Sequence, residues 1–170
     1  VIVTIAVNKT TEDLHRRAFV RKLRAIADFV TRVPGDIHEG TAPRGNPTPF
    51  GTYSLVSAPA VDDWTKRTIR SWWDIEWTSE DQVEAGRLDR LAMNTLDNQI
   101  VSIEVEDDEV EQPEDPDEDR IMVGQTILYC GRIAGLRFKE TTDEGKTIYR
   151  IGGTYSIWGD QPLRAALEEE

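Results

Sequence analysis

Cysteine occurs once, at Cys130, which excludes an intrachain disulfide; with only His15 and His38 beside it, a zinc site has too few nitrogen and sulfur ligands. No metal and no cofactor are expected. The longest apolar run, Val1-Ile2-Val3-Thr4-Ile5-Ala6-Val7, falls far short of the ~20 residues of a membrane span and lacks the basic flank of an export signal. The expectation is a soluble, unexported protein, compatible with a reducing compartment. Neither histidine stands beside a distinctive nucleophile motif, so Ser–His or Cys–His chemistry has no local signature. Bases are absent between Glu104 and Asp119, where eleven acids stand, so the net charge of −12 is local and the rest of the chain sums to −1. The acidity belongs to one segment and not to the fold.

What is present organises around Thr65 to Leu96. Ile69, Trp73, Ile75 and Trp77 alternate with Arg70, Trp72, Asp74 and Glu76, the period of a strand with one buried and one polar face. Thr78-Ser79-Glu80-Asp81 then supplies a helix start, and Val83, Leu88, Leu91, Met93 and Leu96, with Ala85 and Ala92, continue at helical spacing over 80–96. Three tryptophans within six residues make this unit a centre of packing. Asp74 and Glu76 share a strand face and are the best enzymatic candidate, as a magnesium site for phosphodiester chemistry. Such spacing is common on any polar strand face and no lysine accompanies it, so the structural reading is preferred and no enzyme activity is expected.

At 170 residues the chain fits a single domain, 1–170, able to bury about two thirds of the surface of its unfolded form. Residues 1–9 read as a strand or an arm pairing with a sheet edge. Thr10-Thr11-Glu12-Asp13 starts a helix whose apolar stripe is Phe19, Leu23, Ile26, Val30 and Val33, ended by Pro34-Gly35. Arg16, Arg17, Arg21, Lys22, Arg24 and Arg32 fall largely off that stripe. Such a basic face suits nucleic acid, but without interleaved aromatics it reads better as a solvated face, or one meeting acids of a neighbouring subunit.

Gly40 to Gly51 is a Pro/Gly loop, either a contact surface or a connector. Its Gly40 and Gly45 have phosphate-loop spacing, but Asn46-Pro47 replaces the required Lys and Ser/Thr. Phe50 to Ser57 is a strand expected to pair antiparallel with 67–77. Ile100, Ile103 and Val105 make a short extended piece before the acidic, Pro-containing segment 104–119, read as a solvated, mobile loop. Asp115, Asp117 and Asp119 alternate like calcium ligands, but Pro116 and the missing glycine argue against that site. The stretch 121–132 is apolar and ambiguous in type. Ala134, Leu136 and Phe138, the turn Thr142-Asp143-Glu144-Gly145, then Tyr149, Ile151, Tyr155 and Ile157 predict a β-hairpin, with Gly152-Gly153 marking a bulge or a close backbone approach. Residues 160–170 are a tail that adds a helical turn or frays.

The fold class expected from these residues is α+β, a mainly antiparallel sheet packed against two amphipathic helices, with a long acidic loop. This layout resembles the tail terminator (tail completion) family of long-tailed bacteriophages over roughly residues 10–158. The features that carry it are a first helix ending Val33-Pro34-Gly35, a loop into Phe50-Gly51-Thr52-Tyr53, a Trp-rich strand, a Ser79-started helix ending Leu96-Asp97, and Ile148-Tyr149-Arg150-Ile151-Gly152-Gly153-Thr154-Tyr155 in the final hairpin. The acidic segment looks like an insertion specific to this chain.

The resemblance implies a virion protein at the neck, assembled in the host cytoplasm as a homo-oligomeric, commonly hexameric ring that caps the tail tube. Tail tube and head-neck proteins are its implied partners, and genomic DNA passes through the lumen without specific binding. The family has no catalytic residues to carry over. Arg67, Arg70, Trp72, Asp74, Glu76, Arg44 and Phe50 are the candidate subunit or partner interface, since a mixed aromatic and charged face is typical of interfaces. Trp72 lying under a loop of its own subunit is the equal alternative. Asp107, Asp108, Glu109, Glu111, Glu114, Asp115 and Asp117 are candidates for repelling DNA in the lumen or for steering a basic partner. Another neck or head-completion adaptor and an acidic DNA-mimic inhibitor are the rival readings, with a nuclease last.

Overall fold

The computed structural model describes residues 11–58, 60–62, 66–105 and 124–162. The expected strand or arm at 1–9 lies outside them, as do 106–119 of the expected acidic loop 104–119 and 163–170 of the expected tail 160–170; the remaining residues of that loop and tail, 104–105 and 160–162, are in strands and not in a loop or a frayed end.

Within the described residues the chain forms three helices, α1 (Thr11–Arg24), α2 (Ala27–Arg32) and α3 (Gln82–Leu96), and seven strands. The strands are β1 (Ile37–Glu39), β2 (Phe50–Ser57), β3 (Ala60–Asp62), β4 (Lys66–Ser79), β5 (Gln99–Val105), β6 (Gly124–Thr141) and β7 (Thr147–Pro162). They make one sheet in the order β1-β2-β4-β7-β6-β5, with β3 on the outer part of β4.

The expected mainly antiparallel sheet on two amphipathic helices is corrected here. The sheet is mixed and curled, because β1 runs parallel to β2, pairing Ile37 with Gly51 and Glu39 with Tyr53. The loop 40–49 is the reason. It carries the chain back to the end of β1 from which it started, with positive φ at Gly40 and Gly45, so β2 begins beside Ile37 and proceeds in the same direction. A three-residue strand has no periodicity long enough to read from sequence.

The single first helix is also corrected. Ile26 takes an extended conformation (φ −85°, ψ 118°) and divides α1 from α2. The turn rotates the second piece, so Phe29 and Val33 are buried while Val30, expected on the apolar stripe, is 62% exposed. Phe29 meets the Trp77 ring edge-on at 4.9 Å, a contact that a continuous helix would have placed elsewhere.

In α3 the Asp81 carboxylate accepts from the Val83 N–H at 2.8 Å and caps the helix. Ala85, Leu88, Ala92 and Leu96 form its buried stripe, and Val83 points out at 61% exposure. The helices all lie on one face of the sheet: Phe19 packs on Tyr53 and Trp73, and Leu88, Ala92 and Leu96 join Val101, Leu128 and Tyr155 in the core. As expected, β4 feeds Trp73, Ile75 and Trp77 into that core, pairs antiparallel with β2, and is followed by the hairpin β6–β7. Gly152 marks a close approach, because a Cβ there would stand 2.0 Å from the Ile75 carbonyl oxygen. The bulge itself falls on the partner strand, between Arg132 and Ala134.

Candidate interface

Alternation along β4 sends Arg70, Trp72, Asp74 and Glu76 to the sheet face opposite the helices. The register with β7 then decides what each one meets. Asp74 pairs with Thr154, whose hydroxyl donates to its carboxylate at 2.6 Å. Glu76 lies 3.8 Å from the Arg150 guanidinium, which also bonds Glu140 and stands over the Phe138 ring. Burial raises the Glu76 pKa above the ordinary carboxylate value; Arg150 opposes this, and Asp74 and Glu140 add to it. Asp74 is thus held by a hydroxyl and Glu76 by a guanidinium, and no group of three or more His, Cys, Asp or Glu is arranged to hold a metal among the described residues.

Arg70 sits where four strands line up. It pairs with Trp158, Trp158 with Tyr129, and Tyr129 with Ile100. The guanidinium lies 5.3 Å above the Trp158 ring, and the Tyr129 ring stacks on the other side at 6.0 Å and 25°. Ile100 is 58% exposed and Tyr129 48%. The result is a row of apolar and aromatic surface ended by one cation, running across the open face. Trp72 is half-buried beside Ser156, with its indole N–H buried and unpartnered among the described residues.

The other expected interface residues do not gather here. Arg44 is exposed in the loop 40–49, and Phe50 begins β2 at the far end of the sheet, against Gly35. Arg67 lies on β4 opposite Gln161. The acids from Asp107 to Asp117 are outside the described residues. Sequence reasoning missed Tyr129, Trp158 and Ile100, because each belongs to a separate strand and only the register joins them. The alternation of Leu128, Tyr129 and Cys130 was the available signal, hidden in the mostly apolar stretch 121–132.

The protein interior contains a Ser–His pair that sequence spacing concealed. His15 Nδ1 and Ser71 Oγ are 2.6 Å apart, 56 residues removed in the chain. Trp73 Nε1 donates to the same oxygen at 2.8 Å, and His15 Nε2 is buried with no hydrogen-bond partner among the described residues. Ser71 is 0% exposed, and this arrangement orders the core. Arg132 is the second interior anchor. Its guanidinium donates to Asp89 at 3.0 Å and to the Gly152 carbonyl at 2.7 Å, and it lies over the Tyr155 ring.

A basic groove flanks α1 on its solvent side. Arg16, Arg17, Arg21 and Arg24 line about 570 Å³ together with Val20, Ala25 and Tyr53. Arg16 bonds Glu39, and Arg24 bonds Asp36 through two of its guanidinium nitrogens, Nε and Nη2.

No family model matches the chain, and no curated protein matches it. Among solved structures it is similar to a chain in the virion of a native gene transfer agent particle, with a TM-score of 0.54 and 15% identity. The match covers 89% of this chain and 98% of that one. At this identity the likeness is one of fold.

Proposed function

We propose that this chain is a structural protein of a phage-like virion, a subunit of a ring that ends the tail tube and joins it to the head-neck complex. The supporting observation is a fold shared along nearly the whole of both chains with a component of a virion particle. The open sheet face is consistent with it: an assembled subunit uses broad contact surface, and the Ile100, Tyr129, Trp158 and Arg70 row has the aromatic and arginine composition of interface centres. This reading gives the protein no turnover. Asp74 and Glu76 are read as surface residues held by their neighbours, and substituting both with Ala changes contacts without abolishing a reaction.

Mass photometry with electron microscopy of the purified protein, alone and with tail tubes, tests the proposal. The expected result is a closed ring, free or at the tube end. A particle that remains single at every concentration and ignores tail tubes overturns it, and a ring located at the head vertex instead assigns the chain to a head-completion adaptor.

A further inference from the structure

The acidic segment is attached at one end of the sheet, and a surplus of arginine lies at the other. Val105, the last residue of β5, pairs with Gly124, the first of β6, so 106–123 leaves and returns at that end; Glu106 to Asp119 hold ten carboxylates and no base. α3 starts at the opposite end, just after Ser79, which pairs with Tyr149 beside the hairpin turn. A groove of about 600 Å³ lies there between α3 and β6, lined by Arg87, Arg90, Arg132 and Arg137. The acids that answer these arginines are Asp89, bonded to Arg132, and Glu84, which Arg87 shares with Arg32 of α2. The adjoining hollow adds Arg32 and Asp28, one charge of each sign. Two arginines remain in excess. Arg90 and Arg137 are exposed and make no hydrogen bond, ion pair or ring contact among the described residues.

The groove also has room for an extended chain. Val83, 61% exposed, and Met93 give it apolar walls, and Gly86 leaves nothing within 4 Å of where a Cβ would stand. A glycine inside a helix costs about 1 kcal/mol against alanine, and here it opens the α3 backbone to whatever docks. The acidic segment of the same subunit falls short. Along β6, Gly124 and Arg137 are about 40 Å apart at about 3.3 Å per residue. No residue of 106–123 stands more than nine positions from Val105 or Gly124, and nine residues span at most about 30 Å.

We infer that the groove between α3 and β6 binds the acidic segment 106–119 of a second copy of the chain. The inference rests on the ring proposed above and supplies its contact. The acidic end of one subunit meets the basic end of the next, a head-to-tail arrangement that closes into a ring when the rotation between neighbours divides a full turn. Guanidinium forks match carboxylates, because two parallel N–H donors face two oxygens. Nucleic acid, the other polyanion, fits less well, since the lining has no aromatic side chain on which bases stack. Attraction between charges makes the assembly weaken as salt is added.

Charge exchange in the whole chain tests this. Arg90→Glu with Arg137→Glu, and separately Glu109→Lys with Glu111→Lys, are each expected to raise the concentration needed for rings by about tenfold while leaving thermal melting unchanged. The two exchanges move the net charge in opposite directions, so a loss in both is not an effect of net charge. A chain carrying all four substitutions recovers ring formation.

Cross-linking identifies the partner copy. Val83→Cys and Glu111→Cys are made in separate chains, mixed, and joined by a short bis-maleimide; Cys130, buried, does not compete. Covalent heterodimers are the expected product. Rings that form equally well in every variant, or links that form only when both cysteines share one chain, overturn the inference and leave the ring proposal standing. Labelled duplex DNA that binds the wild-type chain and is lost with Arg90→Glu and Arg137→Glu, while rings persist, overturns it in the same way. A wild-type chain that never assembles overturns the ring proposal and this inference with it.

Discussion

Burial holds the His15 imidazole at a pKa of about 4 against an ordinary 6.5, so the folded protein refuses a proton that the unfolded chain accepts. Above pH 6.5 both states are neutral and the residue has no pH effect. As pH falls from 6.5 toward 4 the unfolded state alone gains the proton, and stability drops by about 3 kcal/mol across that window. Glu76 acts with the opposite sign: its raised pKa makes its charge unfavourable at neutral pH and relieves the strain as acid is added. Urea unfolding at pH 7.0 and 5.0 measures the net slope, and His15→Asn is expected to flatten it. Cys130 is pushed up to about 12, chiefly by burial, with Asp97 adding to the shift. An aromatic disulfide reagent at pH 8 should therefore leave the native protein untouched and react as soon as denaturant is added. Neither behaviour is legible in the chain itself, because both depend on neighbours distant in sequence.

Two glycines show what an element demands. Gly152 passes so close to the β4 backbone that a Cβ would overlap the Ile75 carbonyl oxygen at 2.0 Å. Gly152→Ala is expected to cost about 3 kcal/mol or more, seen as a fall in melting temperature. Gly86 lies inside α3 with nothing within 4 Å of where a Cβ would stand, so Gly86→Ala should stabilise by about 0.5–1 kcal/mol. The double glycine at 152–153 announced a special backbone, but whether it meant a bulge or a close approach required the neighbouring strand. The first helix illustrates the converse error. Phe19, Leu23, Ile26, Val30 and Val33 keep helical spacing on paper, yet a break at Ile26 allows Phe29 to reach Trp77 and leaves Val30 in solvent. Packing of one large aromatic outweighs the weak preference that would continue the helix.

For the molecule as a whole, the sheet divides labour between its faces, one covered by three helices and one carrying the Ile100, Tyr129, Trp158 and Arg70 row. On the proposed ring, Tyr129→Ala is expected to weaken assembly by about 1–2 kcal/mol per subunit while leaving the melting of the free subunit within about 0.5 kcal/mol of wild type. Sedimentation over a concentration series reads the first quantity and thermal unfolding the second. The sequence by itself determined the core strand β4, its polar opposite face, the capped helix after it and the closing hairpin, since period-2 alternation and helix or turn chemistry are local properties of the chain. Only the tertiary structure decided that β1 lies parallel to β2, that four residues from four strands share one row, and that His15 meets Ser71. Register and loop return are set by how distant segments pack together, and that packing energy is not written in any single window of the chain.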